Sequence, residues 1–479
     1  MSVPVNRRNA DTAFTEFDAH RRASLMPPLV AVWTAVIMVV VVPYTVVSFT
    51  PSPPSRLWVM VLAVTTVAGL RYAWIVGEGF RRLVEMSFWV FTYVFMGLAP
   101  LAQLRMRAIP PTTPRVDPTL NARALIIVLV GIAAFLVGLV ISAYVWRRIR
   151  DTRWGNPAGV RIDPVRVLIL AACALVANAY YIKKLGVGTL LSSRSAVVEQ
   201  AGASLGQSTV ASIIGAVAMM SLLVAFIATV KYRDQNPAAD RLYLLVIVVL
   251  GAVLLLTFNP ISSARYLFGT AALAVAALFG LFATRARFRV VALLAVAALV
   301  LVFPLADAFR YSTSAQFKTS SPLESLTSPD YDAFAQVNNT VNFVNNHGVT
   351  DGKQALGVVL FWIPRTIWPG KATDTGILLA ESRNYTVKNL SAPLWSELFI
   401  NGGWIALILG MTALGVVAGV QDRRIEISLR QARAPTILAC ILPFYLIILL
   451  RGSLLQAMSY FLVIVGCALF VSRRERAHG

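Results

Sequence analysis

Almost the whole chain is divided into apolar runs of roughly 18–23 residues separated by short polar breaks, each long enough to cross a bilayer as a helix. Lipid offers no partners to backbone N–H and C=O groups, so such runs must bond within themselves as helices. Read with their breaks, they predict spans near 29–49, 57–76, 84–104, 124–146, 165–185, 209–230, 242–258, 266–284, 290–309, 397–419, 435–450 and 454–471, about twelve in all. The expected fold class is all-α: a polytopic helical membrane protein, residues 1–479 forming one integral membrane domain. The last two runs are a single stretch broken only by Arg451-Gly452, which reads as a tight extracytoplasmic hairpin.

Composition agrees. A chain with 57% hydrophobic and 14% charged residues lies outside the range of soluble domains. The net charge of +21 does not indicate nucleic acid, because no basic patch interleaves with aromatics on a soluble module. Basic residues gather instead in the short segments between runs, where they set topology. With the N-terminus inside, the inside segments carry Arg147, Arg148, Arg150 and Arg153, then Lys231, Arg233 and Arg241, then Arg285, Arg287 and Arg289. Arg423, Arg424, Arg430 and Arg433 follow, and finally Arg473, Arg474 and Arg476. Arg105, Arg107, Arg115 and Arg123 break the pattern, falling outside. Both termini are expected to be cytoplasmic. The first run is too long for a signal-peptide core. Cys173, Cys440 and Cys467 all lie in apolar runs without the spacing of a metal or disulfide framework.

One long polar segment interrupts this frame, the extracytoplasmic loop 310–396, and it shows no obvious secondary structure. Long loops of that kind are functional or disordered, and the Trp, Pro, Gly and single charges here are unlike a disordered tail. It holds W-I-P-R-T-I-W-P-G-K (Trp362–Lys371) and leads into S-E-L-F-I-N-G-G-W (Ser396–Trp404). Pro364, and Pro369-Gly370, constrain the backbone beside Arg365 and Lys371, while Trp362 and Trp368 suit a membrane–water interface. Two cations so placed match the phosphate oxygens of a lipid diphosphate, or else a loop drawn to anionic lipid.

Other residues carry paired readings. Arg265 and Arg310 sit where the chain meets the outer interface, as snorkelling cations or site cations; Asp307 is placed to pair with Arg310. Arg451, in an apolar hairpin, needs a partner. Asp330-Tyr331-Asp332 has the D-x-D form that can hold a metal, or is a helix start. Glu397 is a general-base candidate or the partner of a loop Arg; His347 reads as a solvated loop residue. The smaller outside loop 186–207, with Ser192, Ser193, Arg194 and Ser195, either lines a site or is solvated.

I-P-R-T-I-W-P-G-K, Gly376 and S-E-L-F-I-N-G-G-W together resemble the Wzy-type oligosaccharide repeat-unit polymerases, the O-antigen polymerase family. N-P-I-S-S-A-R-Y and D-Y-D-A-F fit the same pattern, so the specific likeness covers about Asn259 to Trp404. Arg365 and Gly376 satisfy an arginine, ten residues, then glycine; no second copy occurs in the smaller loop. The resemblance implies a metal-independent, cofactor-free glycosyltransferase on the outer face of the bacterial inner membrane. It would move a growing glycan from one polyprenyl diphosphate onto another lipid-linked repeat unit, in company with a flippase and a chain-length regulator. On that reading Arg365 is catalytic, its charge stabilising the diphosphate leaving group, while Lys371, Arg265, Arg310, Arg451 and Trp368 bind the diphosphate and glycan. Glu397 or Asp330 takes the proton of the acceptor hydroxyl. The rivals are an O-antigen ligase, which shares loop plan and donor, a glycosyltransferase using lipid monophosphosugars, and a non-enzymatic lipid-linked oligosaccharide flippase. Thr50–Arg56 lacks the paired carboxylates of the second, and the chain lacks the related halves expected of the third.

Overall fold

The computed structural model describes residues 26–53, 55–152, 155, 160–205, 208–237, 241–298, 322–388, 390–432 and 434–474. The helices used below are, in chain order, α1 (Pro27–Ser48), α2 (Leu57–Glu78), α3 (Leu83–Met106), α4 (Pro118–Ile149), α5 (Pro164–Leu185), α6 (Arg194–Leu205) and α7 (Val210–Gln235). There follow α8 (Arg241–Thr257), α9 (Arg265–Leu278), α10 (Arg285–Ala297), α11 (Ala333–His347), α12 (Lys353–Val359), α13 (Thr375–Ser382), α14 (Leu394–Gln431), α15 (Ile437–Arg451) and α16 (Leu454–Val471). Among the described residues eight helices, α1–α5, α7, α14 and α16, are long and apolar enough to cross a membrane. The protein is therefore all-α and polytopic, apart from a two-stranded ribbon of β1 (Val160–Ile162) and β2 (Ser472–Arg474).

Each predicted run falls on a helix where it is described, the eighth as far as residue 278; the end of the ninth, with Asp307 and Arg310, lies outside the described residues. Among the described residues eight of the twelve expected spans have full spanning length. α8, α9 and α15 are apolar but have 17, 14 and 15 residues, which at about 1.5 Å per residue falls short of a hydrocarbon core of about 30 Å. The turn before α9 is fixed by Asn259, whose Oδ1 accepts from the N–H groups of Ile261 and Ser262.

Lipid is as apolar as leucine, so helices in a bilayer associate through close packing rather than burial from water. The α4–α14 pair shows how. A Cβ on Gly138 would fall 2.1 Å from the Thr412 carbonyl oxygen, and one on Gly415 would fall 2.2 Å from that of Phe135. Only glycine lets these two backbones meet.

α14 is not one straight rod. Its path breaks at Gly402 (φ −161°, ψ 30°) and Gly403 (φ 57°, ψ −139°), the latter a conformation that a side chain would strain. A Cβ on Gly410 would lie 2.4 Å from Leu398 Cδ2, so the segment before the break folds back along the segment after it. That fold buries Trp395, whose Nε1 donates to the Val128 carbonyl, and Glu397 beside it.

Two ends of the bundle are distinct. At one, the chain between α10 and α14 packs on the helix ends: Gln103 of α3 donates to the carbonyls of Leu326 and Tyr331, and Arg123 of α4 to Asn345. The described part of the loop is not irregular, contrary to expectation. It holds α11, α12 and α13, and Gln336, Asn338, Asn339 and Thr340 on α11 are fully buried. Asn338 donates to the Asp117 carbonyl and to Asn121 Oδ1, and Asn339 accepts from the Tyr385 hydroxyl. His347 ends α11, its ring stacked on Phe343, so it belongs to a helix rather than to a free loop. Arg105, one of the arginines that broke the charge pattern, is buried; it bonds Thr50 and the Val47 carbonyl and lies over the Trp58 ring. At the other end, Arg81 bonds Glu426, Asp422 accepts from the N–H groups of Val84 and Glu85, and the β-ribbon ties the chain after α4 to the chain after α16.

Candidate active site at the loop-bearing end

A cavity of about 360 Å³ opens at the loop-bearing end, within the size range of small-molecule sites. Its polar lining includes Arg194, Arg265, Asp330, Asp332, Arg451 and Ser453, three guanidinium groups to two carboxylates. Tyr266, Phe444, Tyr445 and Tyr460 supply the apolar walls.

The tripeptide Asp330-Tyr331-Asp332 is the centre of this site, held from several sides. Tyr331 is fully buried against Phe95, ring centroids 5.2 Å apart; burial raises the pKa of its hydroxyl, keeping it neutral. Arg265 opens α9, where a cation faces the positive end of the helix dipole and needs an anion. Asp330 supplies it: Arg265 Nη2 reaches both carboxylate oxygens, at 2.9 and 2.8 Å. Arg451 ends α15, where the dipole favours a cation. Its Nε and Nη2 donate to the Asp330 carbonyl at 3.1 and 2.8 Å, and Nη2 lies 3.8 Å from Asp332 Oδ1. Its Nη1 has no hydrogen bond among the described residues. Asp332 in turn accepts from the Ser391 hydroxyl at 2.7 Å. This is the partner that Arg451 required, and Arg265 is paired rather than merely snorkelling.

A second acidic group adjoins the cavity. Glu397, buried, accepts from Thr375 Oγ1 at 2.8 Å and from the Leu454 N–H at 3.0 Å. Asp374 caps α13 through Oδ1, accepting from Gly376 and Ile377, while its buried Oδ2 lies on the side of Ser453 and Gln456. Burial pushes the Asp374 pKa up. Ser453, between Arg451 and Leu454, lines the cavity with a buried hydroxyl set beside the Asp374 and Glu397 carboxyl groups.

Arg365, Lys371 and Trp368 do not line the cavity. Arg365 donates to the carbonyls of Lys371 and Ala372 at 2.9 and 3.0 Å. Lys371 is buried and donates to the carbonyls of Phe361 and Ile363 at 2.5 and 2.9 Å. Burial, and then the neighbouring Arg365 charge, lower the Lys371 pKa. Both cations thus close their own loop. Arg194, Ser391, Asp374 and Ser453 were not singled out as site residues by sequence. Arg194 had a signal in the S-S-R-S of the smaller loop; the others sit beside motifs without distinctive chemistry of their own.

No protein-family model matches the sequence, and no curated protein and no solved structure is significantly similar to it.

Proposed function

We propose that the protein is a membrane glycosyltransferase that polymerises polyprenyl-diphosphate-linked oligosaccharide repeat units. On this reading the loop-bearing end faces outward, both termini face the cytoplasm, and the shorter helices α8, α9 and α15 complete about twelve crossings. The arginine-rich opposite end supports that orientation, since basic residues stay inside. The observation that carries the reading is the convergence of Arg265 and Arg451 on Asp330 in one cavity at the helix ends.

Those residues fit the chemistry. A lipid diphosphate entering the cavity competes with Asp330 for Arg265 and meets the Nη1 edge of Arg451. Fixed cations aimed at a leaving group are worth about 3 kcal/mol each in a water-excluded site. Asp330, released from Arg265, accepts the proton of the acceptor hydroxyl. The hydroxyl oxygen bonds to the donor's anomeric carbon, and the bond from that carbon to the diphosphate breaks with its electron pair on phosphate. Glu397 does not line the cavity, so it fits this base role less well than Asp330. Arg365 keeps the role implied by the resemblance only if Arg365→Ala abolishes elongation. Its bonds to its own loop favour a holding role, with elongation reduced but present in that variant's polymer profile.

The size-resolved glycan profile of a strain lacking the gene tests the function. Loss of long chains with single repeat units still attached supports the polymerase. Loss of all attached glycan with full-length polymer on the carrier means a ligase. Repeat units trapped on the inner leaflet mean a flippase.

A further inference from the structure

The segment from α12 to Lys371 combines two properties that rarely meet in a loop facing water. Its large apolar side chains are turned out: Leu356, Val359, Trp362 and Ile367 are 50, 61, 54 and 76% exposed. Many of its backbone polar groups, by contrast, are bonded within the segment, though among the described residues the N–H groups of Phe361, Trp362, Arg365 and Thr366 make no backbone bond there. The carbonyls of Phe361 and Ile363 accept from Lys371, and those of Lys371 and Ala372 from Arg365. The N–H groups of Leu360, Ile363, Ile367, Trp368 and Lys371 donate to carbonyls within the same segment, and Pro364 and Pro369 have no N–H to satisfy. Water makes such internal bonds unnecessary, and each one lowers the cost of moving the segment out of water.

The position fits as well. α12 starts on the break in α14, where Asn401 accepts from the N–H groups of Gly352 and Ala355. Just past that break Ile405, Ile408 and Leu409 are exposed on α14, 72, 44 and 65%. α12 also packs against α16, so its outward face continues the surfaces of two helices long enough to span.

We propose that residues 356–369 form a knuckle seated in the bilayer, with Leu356, Val359, Trp362 and Ile367 among phospholipid acyl chains beside α14 and α16. Arg365 and Lys371 are the internal clasps that let the knuckle enter, and the loop carrying the cavity is fixed to the leaflet by it. This depends only on the chain spanning a membrane, not on the glycosyltransferase reading.

The test uses the full chain with Cys173, Cys440 and Cys467 replaced, in nanodiscs of plain phospholipid without polyprenyl lipid. A nitroxide on Ile367→Cys is compared with one on Lys388→Cys, an exposed position whose side chain pairs with Glu381. Relaxation by oxygen and by a water-soluble nickel chelate is measured at both, and Val359→Cys replaces Ile367→Cys if the latter fails to fold. Nickel excluded at least severalfold relative to position 388, with oxygen retained, is the expected result. Nickel access equal to that at 388 overturns the proposal. Exclusion that arises only after polyprenyl phosphate is added also overturns it, because the surface then belongs to a carrier chain rather than to bulk lipid.

Discussion

The two ends of the bundle each hold an arginine–carboxylate pair, and the pairs are built differently. At the arginine-rich end, Arg81 and Glu426 meet as two forks, Nε to Oε2 at 2.9 Å and Nη2 to Oε1 at 3.0 Å. Arg81 Nη1 donates to the Ala283 carbonyl, Arg430 adds a further bond to Glu426, and both side chains of the pair are nearly sealed, at 6 and 7% exposure. At the loop-bearing end, Arg265 meets both Asp330 oxygens through Nη2, and Arg451 bonds the carbonyl of Asp330 while lying 3.9 and 3.8 Å from the Asp330 and Asp332 carboxylates. That second group faces a cavity. A bidentate buried pair with its remaining donors occupied holds helices together. The pair at the loop-bearing end borders a cavity instead, where, on the proposed function, an entering anion competes for the same guanidinium groups.

Breaking the first pair has the largest expected effect. Glu426→Ala leaves Arg81 buried without its anion, an error that costs about 3–5 kcal/mol. Thermal unfolding in detergent should show a strongly destabilised or unrecoverable protein, with part of the loss restored by a second change, Arg81→Met. Next, on the proposed function, Arg451→Ala and Asp330→Asn should reduce polymer formation about 100- to 1,000-fold, with a smaller loss of stability than Glu426→Ala. Equal damage to stability in both sets would erase the distinction between the ends. Gly403→Ala sharpens it, since the strain falls on the break that seats Glu397. A loss of about 1–3 kcal/mol is expected from the unfavourable φ and ψ, measured by the same unfolding experiment. The smallest effect is on pH dependence. Burial raises the Asp374 pKa in the folded state, so the folded protein keeps a proton that the unfolded chain has lost above about pH 4. Its contribution to stability is full below that pH and is lost as pH rises through the raised folded value. Asp374→Asn should flatten that part of the stability–pH curve, and an unchanged slope would exclude Asp374 as its source.

The membrane frame was legible because span length and apolar content are local properties of sequence. α11 was hidden for the opposite reason: its buried face includes Gln336, Asn338, Asn339 and Thr340, which hydropathy assigns to water. Arg265, Asp330 and Arg451 each stood out by their place at an interface or in an apolar hairpin. Their meeting is a tertiary fact, made by turns separated by 65 and 121 residues. Arg365 and Lys371 stood out most and gave the least to the cavity. The turns at Pro364 and Pro369-Gly370 curl the segment until its cations find its own carbonyls, a bond pattern that spacing does not reveal. Arg105 shows the same lesson in topology: a cation spent on carbonyls of Val47 and Thr50 no longer reports which side of the membrane it is on.

The tripeptide at the cavity has a mechanical meaning. Gln103, Arg265 and Arg451 tie three helices, α3, α9 and α15, to consecutive groups of Asp330 and Tyr331. α9 and α15 are short for a bilayer, and short helices respond to bilayer thickness by tilting or by thinning the lipid around them. A change in their tilt pulls on the same knot that a ligand loosens, so thickness and ligand affinity are reciprocal quantities here. On the proposed function, the same chain in a membrane of different depth would therefore grip an anionic ligand with a different strength.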